Sequence, residues 1–229
     1  METLQDQEII NEYLEYIGNR EYACVAARAA VSKEQVQCMI AGDIACPFHD
    51  GEILQFLYNF IDNYRKANTP FHSAAIIFKS PVNISEEVFE NLFWQRLQSL
   101  SDLDARQFKC DPRINPEPHS PDYSFSLKEE AFFIIGLHAA SSRAARQFKY
   151  PTLVFNPHNE FVKLRTNGGY ERMKKIVRTR DISFSGSVNP MLDDFGKTSE
   201  VYQYSGKNYD QAWECPLKNH HGTQHHSTP

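Results

Sequence analysis

The stretch AFFIIGLHAASSRAARQFKYPTLVFNPHNEFVKLR, residues 131–165, decides how this chain is read. It holds two apolar runs of strand character, residues 132–137 and 152–155, and each is followed by a histidine, His138 and His158. The first run does not alternate polar with apolar residues, which predicts a strand covered on both faces. Ahead of it, residues 123–127 do alternate and read as a strand with one exposed face. Lys128, Glu129 and Glu130 between the two make a spacer of hairpin length. Asn156 and Pro157 are a capping residue and a proline suited to a first helical position. They predict His158 at a strand-to-helix junction, in the first turn of a helix through Phe161, Val162, Leu164 and Arg165.

Working outward, Leu4, Ile9, Ile10, Tyr13, Leu14 and Ile17 recur at helical spacing and Gly18 supplies a stop. Residues 38–43 read as a short strand ending in a turn. Asp50 is placed to cap a helix through Ile53, Phe56, Leu57, Phe60, Ile61 and Tyr64, and residues 74–78 form a buried strand. Ser85 caps a helix carrying Phe89, Leu92, Phe93, Leu97 and Leu100, with Glu86 and Glu87 complementing its dipole and Trp94 assigned to packing. Residues 109–122 hold four of the twelve prolines and read as an ordered loop. After a break at Gly168 and Gly169, residues 170–180 form a basic amphipathic helix. The last fifty residues are irregular, and Phe195, Tyr202, Tyr204, Tyr209 and Trp213 give them apolar surface with which to dock. These patterns predict an α+β fold: a single domain over residues 1–218, a mixed or largely antiparallel sheet with packed helices, and a disordered polar tail over residues 219–229.

At 229 residues and a net charge of -5 the chain lacks the global positive field that recruits nucleic acid or an anionic membrane. No apolar run reaches the ~18 to 20 residues of a membrane span, and the acidic start METLQDQEII does not resemble a signal sequence, so a cytoplasmic location is expected. The five cysteines fall at irregular spacings without a C-x-x-C pair, which predicts reduced thiols. Cys24 and Cys215 are the candidates for a thiolate ligand.

The chemistry concentrates in the central stretch. A histidine at a helix N-terminus is disfavoured as imidazolium, which suits a metal ligand. His138, at the end of the preceding strand, is the alternative or the second ligand if the two strands are neighbours. Arg143 and Arg146, at i and i+3 beside Ser141 and Ser142, would share a helical face and match a dianionic target such as the propionates of a heme. A solvated basic face explains the same two arginines without a ligand, and a locally bonded capping residue explains His158.

The runs GLHAASSRAARQF, FNPHNEFVKLR, GSVNPMLDDFG, QYSG and WECP, together with Cys24, the Gly42-Asp43 turn and WQRLQSLSDLDA, resemble the YqcI/YcgG family over nearly the whole chain. Ala139 stands where that pattern has a proline, and Tyr22-Ala23 where it has Phe-Pro. The family is similar in kind to the heme-dependent N-hydroxylases of guanidino compounds in the D-cycloserine and guanitoxin pathways. The resemblance implies heme b held by His158 or His138 with Ser142, Arg143 and Arg146 as cofactor contacts, O2 as co-substrate and an external electron donor. It also implies a small arginine-like substrate steered by a carboxylate, for which Asp43, Glu160, Asp193 and Asp194 are candidates. A heme carrier or sensor without turnover is the alternative, and a homodimer stays open.

Overall fold

The computed structural model describes residues 3–67, 69–160, 168, 174–180, 182, 197–210 and 212–221. Its helices are α1 (Leu4–Gly18), α2 (Val25–Ser32), α3 (Asp50–Lys66), α4 (Glu86–Asp104) and the short α5 (Val201–Tyr204). Its strands are β1 (Val36–Asp43), β2 (Ser73–Ser80), β3 (Phe125–Leu127), β4 (Glu130–Leu137) and β5 (Thr152–Pro157). They form one sheet in the order β1-β2-β5-β4-β3, in which β1 and β2 are parallel and every other pair is antiparallel. The fold is therefore α+β with a mixed sheet, as the sequence predicts.

The strand period of two sorts side chains onto two faces. Ala74, Ile76, Phe78, Leu153, Phe155, Phe132 and Ile134 join Leu57, Phe60, Phe93 and Leu97 of α3 and α4 in the larger core. Ala75, Ile77, Val154 and Leu137 meet Ile9, Tyr13 and Ile17 of α1 on the other face. Gly136 lets α4 come close: a Cβ there would stand 3.0 Å from both Phe89 and Phe93.

Local chemistry accounts for the element ends. The Oγ of Ser85 accepts from the N–H of Val88, as a capping serine should. Asp50 is instead the first residue of α3; its carboxylate is buried and accepts from Arg96 and from Ser99 of α4. The hairpin turn holds Lys128 and Glu129 at positive φ, 48° and 56°, which is unfavourable for side-chain-bearing residues. Tertiary contacts hold it: Asp104 accepts from the Lys128 N–H at 3.0 Å, and Arg65 donates to both turn carbonyls.

One expectation changes. Residues 123–127 have no exposed face, because Ser124 and Ser126 are buried hydrogen-bonding groups, Ser126 Oγ accepting from the Asp111 N–H at 2.9 Å. Of the tail expected over residues 219–229 the described residues reach His221, whose side chain is 3 % exposed and pairs with the fully buried Asp104 at 2.9 Å, and His220 reaches Asp102 at 2.7 Å. Trp94, Tyr204 and Trp213 pack as the docking reading predicts, whereas Phe195 and residues 161–165 and 170–173 lie outside the described residues.

Candidate functional site

β4 and β5 are neighbours, but they run antiparallel, with Leu137 opposite Thr152 and Phe132 opposite Pro157. His138 follows one end of that ladder and His158 the other. Five residue steps at ~3.4 Å put roughly 17 Å between the two ends, so the histidines do not converge on one metal ion. Each end is a separate environment.

His158 opens a helical segment at residues 158–160 directly after β5, so the junction falls where the sequence predicts it, but Asn156 and Pro157 are still strand residues, and the Asn156 side chain accepts from the Ser73 hydroxyl and donates to Phe133 O instead of capping. Its Nδ1 lies 2.9 Å from the Oγ of buried Ser124 and 3.7 Å from Glu200 Oε2. Glu200 Oε1 in turn accepts from the Tyr204 hydroxyl at 2.5 Å, and that hydroxyl oxygen accepts from the Phe125 N–H at 3.1 Å. A carboxylate beside Nδ1 favours the tautomer protonated there, which leaves the ring's acceptor lone pair at Nε2, as outer-shell partners do for histidines in metal sites.

His158 lines an open cleft of about 720 Å³ whose other described walls include Asp111, Arg113, Ile114, Asp122 and Ala131. That volume falls within the ~300–1,000 Å³ of cofactor and ligand clefts. Asp111 is committed: it takes a bidentate ion pair from Arg113 and an N–H from Ala131 at 3.0 Å. Burial pushes its carboxyl up, but the Arg113 and backbone hydrogen bonds outweigh that and hold it below the usual range. Asp122 is exposed, and its carboxylate has no ion-pair partner among the described residues. Glu160, two residues beyond His158, is buried and accepts from the Phe71 N–H at 2.8 Å.

At the opposite end His138 is 1 % exposed, stacks on Phe89 with centroids 4.2 Å apart, and has no hydrogen-bond partner at either ring nitrogen among the described residues. Burial drives its pKa down to about 4, against the pull of Glu86 and with the help of Arg146. The arginines after it do not share a helical face: Arg143 is extended, and only residues 144–146 form a 3-10 turn. Arg146 donates to Gly136 O at 3.0 Å, Tyr204 O at 3.1 Å and Gln203 O at 2.9 Å, clamping the C-terminal end of α5 to β4. Ser142 gives both its N–H and its hydroxyl to Glu86 Oε1, each at 2.9 Å.

The remaining candidates disperse. Asp43 ends β1, where its two oxygens accept from the Ala45 N–H at 2.7 Å and the Ser80 hydroxyl at 3.0 Å, three strands away from β4. Asp193 and Asp194 lie outside the described residues. Burial raises the thiols of Cys24 and Cys215, the latter to about 11, which opposes a thiolate at neutral pH; all five cysteines are free thiols. Among the described residues no group of three or more His, Cys, Asp and Glu side chains is gathered as for a bare metal ion, and none of the helices is long and apolar enough to cross a membrane. Sequence reasoning missed Ser124, Glu200, Tyr204 and Asp122. Only the tyrosine carried a signal, as one of the docking aromatics.

Fold and site thus define an α+β domain with one histidine set in a hydrogen-bonded frame on a cleft and a second sealed in the core. The chain belongs to the YqcI/YcgG family, whose model matches residues 12–218. It is 29 % identical over 214 residues to the uncharacterized protein YqcI of Bacillus subtilis (strain 168), covering 89 % of this chain and 84 % of that one. It is 24 % identical over 208 residues to the uncharacterized protein YcgG of the same strain, covering 86 % and 80 %. No solved structure matches.

Proposed function

We propose that this protein is a heme-dependent oxygenase that N-hydroxylates a small guanidino, arginine-like substrate with O2 and an external reductant. The observation that carries the reading is His158, on the cleft wall, with Nδ1 braced by Ser124 and backed by Glu200. A braced imidazole facing a cleft of cofactor size fits a heme ligand better than His138, whose ring is packed against Phe89. The similarity of the family to heme-dependent guanidino N-hydroxylases supports the same assignment.

Heme, when bound, supplies the activation of oxygen. The chain's own residues do the rest. Ser124 and Glu200 hold the His158 ring in one orientation and raise its basicity as a ligand. Asp122, exposed on the same cleft, is the carboxylate placed to attract a guanidinium, in preference to Asp43, whose two oxygens accept from Ala45 and Ser80, or the buried Glu160, whose Oε2 accepts from the Phe71 N–H. Because Asp122 is exposed, its contribution is about 1 kcal/mol, roughly fivefold in affinity.

The test is an absorption spectrum of protein produced with a heme precursor, followed by product analysis of the reduced protein given O2 and arginine-like compounds. A Soret band lost or strongly shifted in His158→Ala and retained in His138→Ala is expected, with a hydroxylated product from the wild type. The reverse pattern in the two variants would move the ligand to His138. Heme uptake without product would make the protein a carrier or sensor, and no uptake at all would end the heme reading.

A further inference from the structure

Both tryptophans of the chain stand in one line of aromatic rings. Tyr204, fully buried, stacks with Trp94 at 6.3 Å between centroids; Trp94 meets Trp213 at 5.7 Å; Trp213 stacks on Tyr209 at 3.8 Å and touches Tyr202 at 5.2 Å. Trp94 also donates its indole N–H to the Tyr209 hydroxyl at 3.3 Å. Trp213, Tyr209 and Tyr202 are half-exposed, so the line reaches the surface. Its inner end is the Tyr204 hydroxyl, 2.5 Å from Glu200 Oε1, and the other oxygen of that carboxylate is 3.7 Å from His158.

Tyrosine and tryptophan are, with cysteine, the side chains most readily oxidised by one electron. Rings in contact pass that electron fast enough to compete with damage. Oxidation of a phenol demands an acceptor for its proton, and a carboxylate at hydrogen-bond distance provides one. Packing alone explains a cluster of aromatics, but it does not require that the cluster run from the surface to a carboxylate braced against His158.

We propose that Tyr204, Trp94 and Trp213 form a one-electron path from the His158 site to the surface, by which hydrogen peroxide, the two-electron reduction product of O2 formed when no substrate is bound, is reduced at the expense of a small soluble thiol. The proposal rests on heme bound at His158. Tyr204 gives one electron to the oxidant at the site while its phenolic proton moves to Glu200 Oε1. Trp94 refills Tyr204, which recovers that proton; Trp213 refills Trp94; and the thiol refills Trp213, becoming a thiyl radical and releasing its proton to water. Two such passages, with two protons taken up from water at the site to match the two the thiols release, reduce one hydrogen peroxide to two waters and leave two thiyl radicals that couple to a disulfide.

The path is tested first without heme, by flash photolysis of the purified protein with a soluble ruthenium photo-oxidant, in a Tyr202→Phe/Tyr209→Phe background that removes the side branches. The tryptophan radical should decay into a tyrosyl radical, and Trp94→Phe or Tyr204→Phe should lengthen its life at least tenfold. Equal lifetimes with and without Trp94 would overturn the path. The second arm adds hydrogen peroxide to hemin-loaded protein and maps oxidation of Trp213 by mass spectrometry. At least a fivefold fall is expected in Trp94→Phe, and equal oxidation in both would overturn the proposal. A protein that passes the flash test and takes up no hemin would keep the ring path and lose the oxygenase reading, and with it the peroxide role.

Discussion

The two ends of the β4–β5 ladder carry the same side chain in opposite settings. At the His158 end a serine and a glutamate crowd one ring nitrogen and a cleft opens alongside. At the His138 end the ring lies on Phe89 with neither nitrogen satisfied. Burying a polar group without a partner costs about 1–3 kcal/mol, so His138 is a liability to folding unless something bonds it. His158 is the reverse: its frame is complete on one edge and organised toward a cleft. The contrast teaches that two histidines alike in sequence, each just past a strand, can have opposite surroundings: the one beside the arginines is sealed against a phenyl ring, and the other is braced by polar groups on a cleft wall.

Arg146 is where that contrast breaks most violently. If it clamps α5 to β4, Arg146→Ala removes three charge-assisted hydrogen bonds to carbonyls and should lower unfolding stability by about 3 kcal/mol in urea titration. Unchanged stability with weakened heme retention would instead return Arg146 to the propionate role.

A second, smaller effect concerns His138 itself. His138→Leu should stabilise the protein at pH 7 by about 1–2 kcal/mol, because it removes an unpaired polar ring from the core. Its pKa of about 4 lies below the ordinary 6.5, so the folded state resists a proton that the unfolded chain accepts. Stability therefore falls as pH drops from 6.5 toward 4, and the leucine variant should flatten that acid limb. His221 shows the opposite sign: burial pulls its pKa down, but hydrogen bonds and charge from Asp104 and Cys110 carry it to about 9. Its contribution is full below pH 6.5 and fades as pH rises through 9, so His221→Gln should flatten the alkaline side. Loss of stability in His138→Leu would mean that the ring has a partner in solution.

Gly136→Ala tests how tightly the His138 end is closed. Its Cβ would press on Phe89 and Phe93 at 3.0 Å, and an overpacking cost of about 1–2 kcal/mol is expected in thermal unfolding. A neutral result would show that α4 gives way and that the ring stack over His138 is loose.

Much of this architecture was legible in the sequence, for reasons that also mark the limit. Apolar spacing located α1, α3 and α4, because periods are local signals, whereas Asn156 and Pro157 marked the neighbourhood of the junction but stay in β5, since the ladder to β4 claims them ahead of a helix cap. The opposed direction of β4 and β5 is not local: residues 138–151 between them fix it through tertiary packing, and with it the separation of the two histidines. The pair Arg143 and Arg146 suggested one face through helical spacing, which an extended residue followed by a 3-10 turn does not keep. Ser124 looked solvated because a buried hydrogen-bonding serine and an exposed one leave the same alternating pattern. Glu200 lies 42 residues beyond His158, and no short motif links them.

Ser124 supplies the finest division between the two ends. Ser124→Ala removes one neutral hydrogen bond to His158 Nδ1 and should cost about 1 kcal/mol in stability, the smallest effect of the series. Its heme consequence is separable from that cost. If the brace sets the ligand, the variant keeps a Soret band but its reduction potential rises, because a less basic imidazole stabilises the ferric state less. Glu200→Gln should move the potential the same way and further, since it removes the charge behind the ring. A potential indifferent to both changes, with heme still bound, would show that the ligand is not His158 and would turn attention to the sealed ring at the other end of the strands.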